Sequence, residues 1–372
     1  HQGAVLSVDF NHKGDVIASA GKDGTVRLWK VNGALISAAE AHSDTVLGLS
    51  FSPSGQTLAS ASADNKIKLW SIDKQGRFIN QAPTIFPSQK GLVWSLEFHP
   101  ERNDILASAS REFDKVNGVT VFFPTLKLWT PQKTIIDQWP FNKAVEAEAQ
   151  TFSFLNRGQR LVAPLNWRDQ EKPNELKIWN LSNGSISPQA SFKTDADTIN
   201  VVEVSPNNQI IALASDDGIV RLLHDQKRWS SLPAQDAPLK ALAFSPNGQQ
   251  LAAGSLDGKI ILSKLNDTAN PLAVEAHITE VLSLAFKPGD ASLLVSGGAD
   301  GSLKFWQVDP TLKQPRTLLR TIQTQIAINA VSFSPDGKFI AVSDLETAAF
   351  SEPASRASAA RQNHFLQIWD TH

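Results

Sequence analysis

The chain has no cysteine, no methionine and no tyrosine in 372 residues. Without cysteine there are no disulfides, thiolate metal sites or cysteine nucleophiles, and the compartment stays open. The missing tyrosine is more unusual, because tyrosine favours strands and this chain reads as strand-rich. Losing all three types together points to a sequence edited or rebuilt from a restricted alphabet, with some of the 19 phenylalanines standing for tyrosine. A biased natural composition is the alternative. The lack of an initiating methionine reads as a trimmed fragment. No apolar run approaches the roughly 20 residues of a membrane-spanning helix. No signal peptide is visible, and no long stretch has helical periodicity. A net charge of −2 leaves no electrostatic footprint for nucleic acid or an anionic membrane. A cytoplasmic protein is the expectation.

What the chain does have is one pattern written eight times. A short strand ends at Phe10, Phe51, Phe98, Phe154, Val204, Phe244, Phe286 and Phe333, at separations of 40 to 56 residues. Turns such as Ser52-Pro53-Ser54-Gly55, Ser245-Pro246-Asn247-Gly248 and Ser334-Pro335-Asp336-Gly337 follow it. Proline presets the turn backbone and glycine takes the positive φ, so these are tight hairpin links. A second apolar strand follows, then a turn at Asp23-Gly24, Asp64-Asn65, Asp217-Gly218, Asp257-Gly258 or Asp300-Gly301. A third strand ends in Trp29, Trp70, Trp129, Trp179, Trp306 or Trp369, and a weaker outer strand closes the unit. A period of this size made of short strands predicts an all-β propeller of eight blades. The whole chain, 1–372, reads as that single domain.

Four residue types also recur at fixed offsets in three repeats: His1, Ser19, Asp23 and Trp29; His42, Ser60, Asp64 and Trp70; and His277, Ser296, Asp300 and Trp306. On these residues the chain resembles the WD-repeat β-propellers. The resemblance implies a structural tetrad, a buried polar chain running from the Trp N–H through hydroxyl and imidazole to carboxylate. Each donor in such a chain finds an acceptor, which avoids the cost of a bare buried polar group. His, Ser and Trp are lost together in repeat five (Asp195, Leu213, Asp217, Leu223) and repeat six (Gln235, Ala253, Asp257, Ser263). Repeats three, four and eight keep Trp but carry Gln89, Val145 and Thr324 at the His position. The turn sequences are similar to bacterial, cyanobacterial-type arrays, in which the propeller is often the sensor part of a multidomain protein.

The chain opens directly before a first strand and stops at Trp369-Asp370-Thr371-His372, directly after a third. The last blade is therefore expected to lack its outer strand, leaving an open edge over 365–370 available for pairing, and the protein to continue beyond one or both ends.

Three long insertions fall between second and third strands: Arg111–Thr125, Asn166–Glu175 and Asp344–Asn363. The resemblance places these turns on one rim of the ring, with blades four and eight opposite each other. They carry Arg111, Phe113, Phe122, Phe123, Trp167, Arg168, Phe350, Arg356 and Arg361, and aromatics with arginine are the composition of interface hot spots. The alternative is that Phe122 and Phe123 extend a hairpin and pack on their blade, with the third insertion a solvated loop. Trp94 takes the place of Leu6, Leu47 and Leu282 and is either core or channel mouth; Trp139 and Trp229 read as edge packing. The histidines outside the tetrads show no metal-ligand spacing, and no phosphate loop, nucleophile elbow or zinc helix motif is present. The reading is a non-catalytic scaffold that binds a protein or peptide on the decorated rim, with no cofactor. The alternatives are an engineered scaffold without a natural ligand and a propeller hydrolase, which would need clustered acids or a metal at the channel.

Overall fold

The computed structural model describes residues 1–79, 82–86, 91–116, 119–130, 135–140, 147–148, 152–155, 157–167, 173–182, 185–309, 317–324, 327–345 and 367–371. Among them the only regular structure is antiparallel strand, arranged in eight sheets. Blade 1 runs Val5–Phe10, Val16–Gly21, Thr25–Lys30 and Leu35–Glu40, from inner to outer edge. Blade 2 repeats this with Val46–Phe51, Thr57–Ser62, Ile67–Ser71 and Thr84–Ile85. Blade 3 has Val93–Phe98, Leu106–Val116, Val119–Trp129 and Ile135–Pro140. Blade 5 has Ile199–Val204, Ile210–Ser215, Val220–His224 and Arg228–Ser231. Blade 6 has Leu239–Phe244, Gln250–Ser255, Lys259–Lys264 and Asp267–Glu275. Blade 7 has Val281–Lys287, Asp290–Gly298, Ser302–Gln307 and Thr317–Gln323. Blade 8 has three strands, Ala327–Phe333, Phe339–Leu345 and Gln367–Asp370, with the last at a sheet edge.

Blade 4 departs from the four-strand expectation. Its first strand, Ser153–Leu155, has three residues, but its second, Arg160–Trp167, has eight. The second strand outruns its partner, and its spare backbone groups pair instead with a short strand, Ala147–Glu148, opposite Trp167 and Asn166. Glu175–Ser182 and Ser185–Lys193 complete the blade.

Each apolar cluster lies between two neighbouring blades. One joins Leu28 and Val26 of blade 1 to Val46, Phe51 and Trp70 of blade 2. Others join blades 2 and 3, 3 and 4, 4 and 5, 5 and 6, 6 and 7, and 7 and 8. The second strands are buried on both faces, so they read as unbroken runs such as Val16–Gly21 rather than as alternation. The eighth cluster closes the ring: Phe10 and Ile17 of blade 1 meet Ala341 of blade 8, with Trp29, Phe339 and Ile368 at its margin.

That closing cluster has three buried residues among those described, against eight to fourteen in each of the others. Local opening follows low burial of apolar contacts. Native-state hydrogen exchange is therefore expected to show blades 1 and 8 opening at lower free energy than blades 2, 6 and 7. Equal opening energies in all eight would contradict this.

Candidate interaction rim and the polar network beneath it

The three complete tetrads are assembled with nearly identical geometry. In blade 2 the Trp70 indole donates to Ser60 Oγ at 3.0 Å, Ser60 Oγ meets His42 Nε2 at 2.8 Å, and His42 Nδ1 meets Asp64 Oδ2 at 3.0 Å. Blade 1 repeats this through Trp29, Ser19, His1 and Asp23 at 2.8, 2.7 and 3.0 Å. Blade 7 does so through Trp306, Ser296, His277 and Asp300 at 2.9, 2.7 and 3.1 Å. The order fixes the protons: the serine hydroxyl receives from indole and donates to Nε2, so the neutral imidazole carries its proton on Nδ1 and donates to the carboxylate. Burial pushes the His42 and His277 imidazoles below their ordinary range, against the pull of the neighbouring aspartates. Burial alone would raise the Asp300 carboxyl. Hydrogen bonds from Ser302, the Ile278 and Ser302 backbone and His277 outweigh it and hold the group at about 2. The residue after the turn aspartate is left-handed: Gly24 has φ +69° with a Cβ there only 2.5 Å from His42 O, Gly258 of blade 6 has φ +88° with a Cβ 2.2 Å from His277 O, and in blade 2 Asn65 takes the same conformation at φ 64°.

The incomplete repeats show what replaces a tetrad. Blade 3 keeps one link, Trp129 Nε1 to Ser108 Oγ at 2.9 Å. In blade 8 Val342 occupies the serine slot, and the buried Trp369 Nε1 has no partner among the described residues. In blade 5, Leu213 and Leu223 fill the Ser and Trp slots and are fully buried. There Arg221 enters the polar space, bonding Asp195 through Nε at 2.7 Å and Asp217 through Nη2 at 2.8 Å.

Arg221 belongs to a second periodicity that the tetrad pattern hides. Two residues before the closing Trp stand Arg27, Lys68, Lys127, Lys177 and Lys304. Lys68 donates to Ala41 O and Lys304 to Ala276 O, each capping the residue just before the next-used histidine. Lys127 instead makes a buried ion pair with Glu112. The offset alone could have disclosed this set.

On the rim, the blade 3 insertion is a regular hairpin rather than a loop. Its ladder runs without a break from Leu106↔Trp129 to Val116↔Val119, with Phe113 opposite Phe122 and Arg111 opposite Pro124. From Ser110 outward it continues for about 20 Å at the usual strand rise. Phe113 is 44% exposed on it. The side chains of Arg111, Phe122 and Phe123 lie outside the described residues, as do Arg168, Phe350, Arg356 and Arg361. The blade 4 insertion also extends strands. Trp167 ends the second strand, half-buried against the cluster between blades 3 and 4, with its backbone N–H on Asn174 Oδ1 at 2.7 Å. Most of the blade 8 insertion falls outside the described residues, so its position opposite blade 4 is not among the observed features.

The same rim has an inner ring. In seven blades the first strand bulges near its start, after its first residue or, in blade 8, its second, extruding Leu6, Leu47, Trp94, Asn200, Lys240, Leu282 and Asn329 at the channel mouth. A bulge re-aims the side chain that it displaces. All seven are half-buried. Blades 7, 1, 2 and 3 contribute the apolar members. Lys240 Nζ bonds Asn200 Oδ1 and Asp216 Oδ1 at 2.9 Å each on the polar side.

At the other end of the inner strands stand three carboxyls that sequence reading did not group: Asp9, Glu97 and Glu203, each one residue before the strand end in blades 1, 3 and 5. Burial pushes Asp9 up to about 7, Glu97 to about 8 and Glu203 to about 7, with the charges of Asp9 and Glu203 adding to the rise at Glu97. Asp9 Oδ2 accepts the Phe51 N–H of the next blade at 2.7 Å. No hydrogen bond joins any two of the three among the described residues, and blades 2 and 4 separate them. No group of three or more His, Asp or Glu among the described residues could hold a metal ion.

Two predictions follow from this polar architecture. Trp70→Phe removes a paired donor and should cost about 1–3 kcal/mol in denaturant melts. Trp369→Phe removes an unpaired one and should cost less; equal losses would deny the tetrad a polar contribution. Carboxyls held above their ordinary values bind protons more tightly folded than unfolded, so their penalty grows as pH rises from about 4 to about 8. Glu97→Gln mimics the protonated form, and its melting temperature relative to the parent should climb between pH 5 and pH 8. A pH-independent difference would refute the assignment.

A WD domain, G-beta repeat model matches residues 1–30, 33–71, 270–307 and 316–370, and the WD40 domain of anaphase-promoting complex subunit 4 matches 202–275. The WD repeat-containing protein 3 homolog of Dictyostelium discoideum is 24% identical over 274 residues, 68% of this chain and 28% of that protein. Telomerase protein component 1 of Rattus norvegicus is 25% identical over 226 residues, 60% of this chain and 8% of that protein. The chain thus spans well under a third of the length of either relative. Among solved structures, Sqt1 from Chaetomium thermophilum superposes with TM-score 0.74 at 16% identity, covering 92% of this chain and 94% of that one. The computationally designed Ika8 protein gives 0.71 at 19%, again over 92% and 94%. The chain is an eight-bladed β-propeller built from WD40 repeats.

Proposed function

We propose that this propeller is a non-catalytic platform in the cytoplasm that binds a protein or peptide on the insertion-bearing rim. The observation that carries the reading is the coincidence on one rim of two features. One is the blade 3 hairpin with exposed Phe113. The other is the ring of extruded side chains, apolar at Leu6, Leu47, Trp94 and Leu282 and polar at Asn200 and Lys240. Apolar side chains interrupted by Asn329 in blade 8, with polar groups at blades 5 and 6, give the mixed anatomy of an interface that anchors a few buried side chains. Arg111, Phe122, Phe123 and Trp167 lie next to it in sequence and are the further contacts of this reading; Arg168, Phe350, Arg356 and Arg361 are adjustable contacts on the same insertions. Sqt1 has been solved bound to the N-terminus of ribosomal protein L10, which supports a protein or peptide as the kind of partner for this fold. The relatives are much longer than this chain, which fits a role as one sensing or docking part of a multidomain protein. The named relatives are eukaryotic, so a bacterial-type ancestry rests on the turn sequences alone.

The test is a paired variant, Trp94→Ala with Phe113→Ser, compared with the parent by crosslinking and titration against the partner that the parent captures. Loss of about 2 kcal/mol or more is expected, with the melting curve preserved. Unchanged affinity, with crosslinks on the opposite rim, would remove the rim from the interaction.

A further inference from the structure

The loss of the tetrad in blade 5 leaves a cavity of about 400 Å³ at the outer side of the blade. In blades 1, 2 and 7 an imidazole occupies the position that Asp195 holds here, and the shorter Asp195 side chain stands 91% exposed. The outer strand Arg228–Ser231 is also short, and Pro233 stands two residues beyond its end. The space is bounded by Lys193, Asp195, Arg221, Trp229, Ser230 and Ser231.

Its floor is an arginine whose side chain is only 8% exposed. The Arg221 guanidinium gives Nε–H to Asp195, two Nη1 contacts to Ser215 and Asp217 at 3.1 Å each, and one from Nη2 to Asp217. A guanidinium has five N–H groups. One on Nη2 has no partner among the described residues. Lys193 on the facing wall makes no ion pair among the described residues, although Glu175 lies across the ladder from it; that carboxylate accepts from Ser191 and sits 3.8 Å from Lys177. Trp229 supplies a half-buried aromatic wall, packed beneath on the cluster between blades 4 and 5. Asp195 and Asp217 already balance the charge of Arg221, so the cation left for a ligand is Lys193; its ammonium, the remaining guanidinium N–H and the hydroxyls are the donor set for a carboxylate, and the indole suits the methylene stem of its side chain.

The wall strand, Arg228–Ser231, is the edge of its sheet, so one row of its backbone groups is unpaired by the blade. A peptide added along such an edge sends alternate side chains toward the sheet face. We propose that the outer edge of blade 5 binds an extended acidic peptide, with a Glu or Asp side chain seated between Lys193, Arg221 and Trp229. This site is separate from the rim, and neither reading depends on the other.

The test uses the whole chain and calorimetric titration with two capped peptides, Ac-Ser-Val-Glu-Val-Thr-NH₂ and its Gln counterpart, together with Ac-Ser-Val-Val-OH. The Glu peptide should bind about tenfold or more tightly than the Gln peptide, the difference of one charge-assisted contact pair. Lys193→Ala and Trp229→Ala alter exposed or half-buried side chains, and each should weaken the Glu peptide about fivefold or more on the same grounds. The rim variant Trp94→Ala should leave it unchanged. Equal binding of Glu and Gln peptides, no binding of either, or full affinity in both pocket variants would overturn the proposal. Preference for the free C-terminus of Ac-Ser-Val-Val-OH over the Glu side chain would overturn it in favour of chain-end recognition.

Discussion

Each sheet of this ring is apolar on both faces, and a single sheet can cover neither. Stacking against two neighbours is the only way to remove both faces from water, and the closed ring provides it without leaving an end blade bare. The eight interblade clusters are the direct expression of that constraint. It explains why the second strands carry almost no polar alternation beyond the tetrad serines. It also explains why the tetrad is tolerated. A hydroxyl, an imidazole and an indole N–H are buried between apolar sheets, where each would be costly alone, and the chain of three hydrogen bonds removes the cost of all together.

The same reasoning accounts for the way the tetrad is lost. Losing His alone can leave the serine–indole link standing, as in blade 3, where Trp129 still donates to Ser108; abandoning the whole network means changing several members at once. Blade 5 does this with Leu213 and Leu223, both fully buried, and retains only the aspartate at the turn. That aspartate still needs a cation or donor, and Arg221 supplies one from a position that blade 1 fills with Arg27 and blades 2, 3, 4 and 7 fill with lysine. Blade 8 changes serine to Val342 but keeps Trp369, and an unpaired indole N–H is the residue of that half-step. The closing cluster that blade 8 shares with blade 1 is also the smallest, so the least satisfied blade borders the least buried interface.

Much of this was legible in the chain itself. Strand ends, turn types, blade number and all three complete tetrads follow from residues at fixed offsets, because each offset reflects a ladder register that the fold repeats. The three strands that blade 8 shows among the described residues were legible for the same reason. What was not legible is whatever depends on neighbouring blades. Glu97 looks like an ordinary exposed strand residue until blades 1 and 5 bring Asp9 and Glu203 to the same wall. Trp167 reads as a loop aromatic, but Ala147–Glu148 and Asn174 hold its backbone in a strand and turn it partly into the core. That the blade 3 insertion extends a hairpin was one of the two readings open in the sequence. Its two halves alternate as strands, and Asn117-Gly118 between them is a strong hairpin signal.

Function in such a ring is then a question of where the repeat is broken without loss of stability. The inner strands can bulge at the channel mouth because the extruded residue contributes nothing to the interblade clusters, which leaves its identity free to vary from Leu6 to Lys240. The second-to-third turn can lengthen because it lies beyond the ladder that carries the closing Trp, as the unbroken register of blade 3 shows. The tetrad position can open into a cavity once an arginine has taken over the buried charge, as in blade 5. All three variations occur outside the apolar faces, and each places polar or aromatic side chains at the surface on a rigid support. A stacking constraint that leaves so little freedom within the blades therefore concentrates variation at their ends and outer edges, where a partner can reach it.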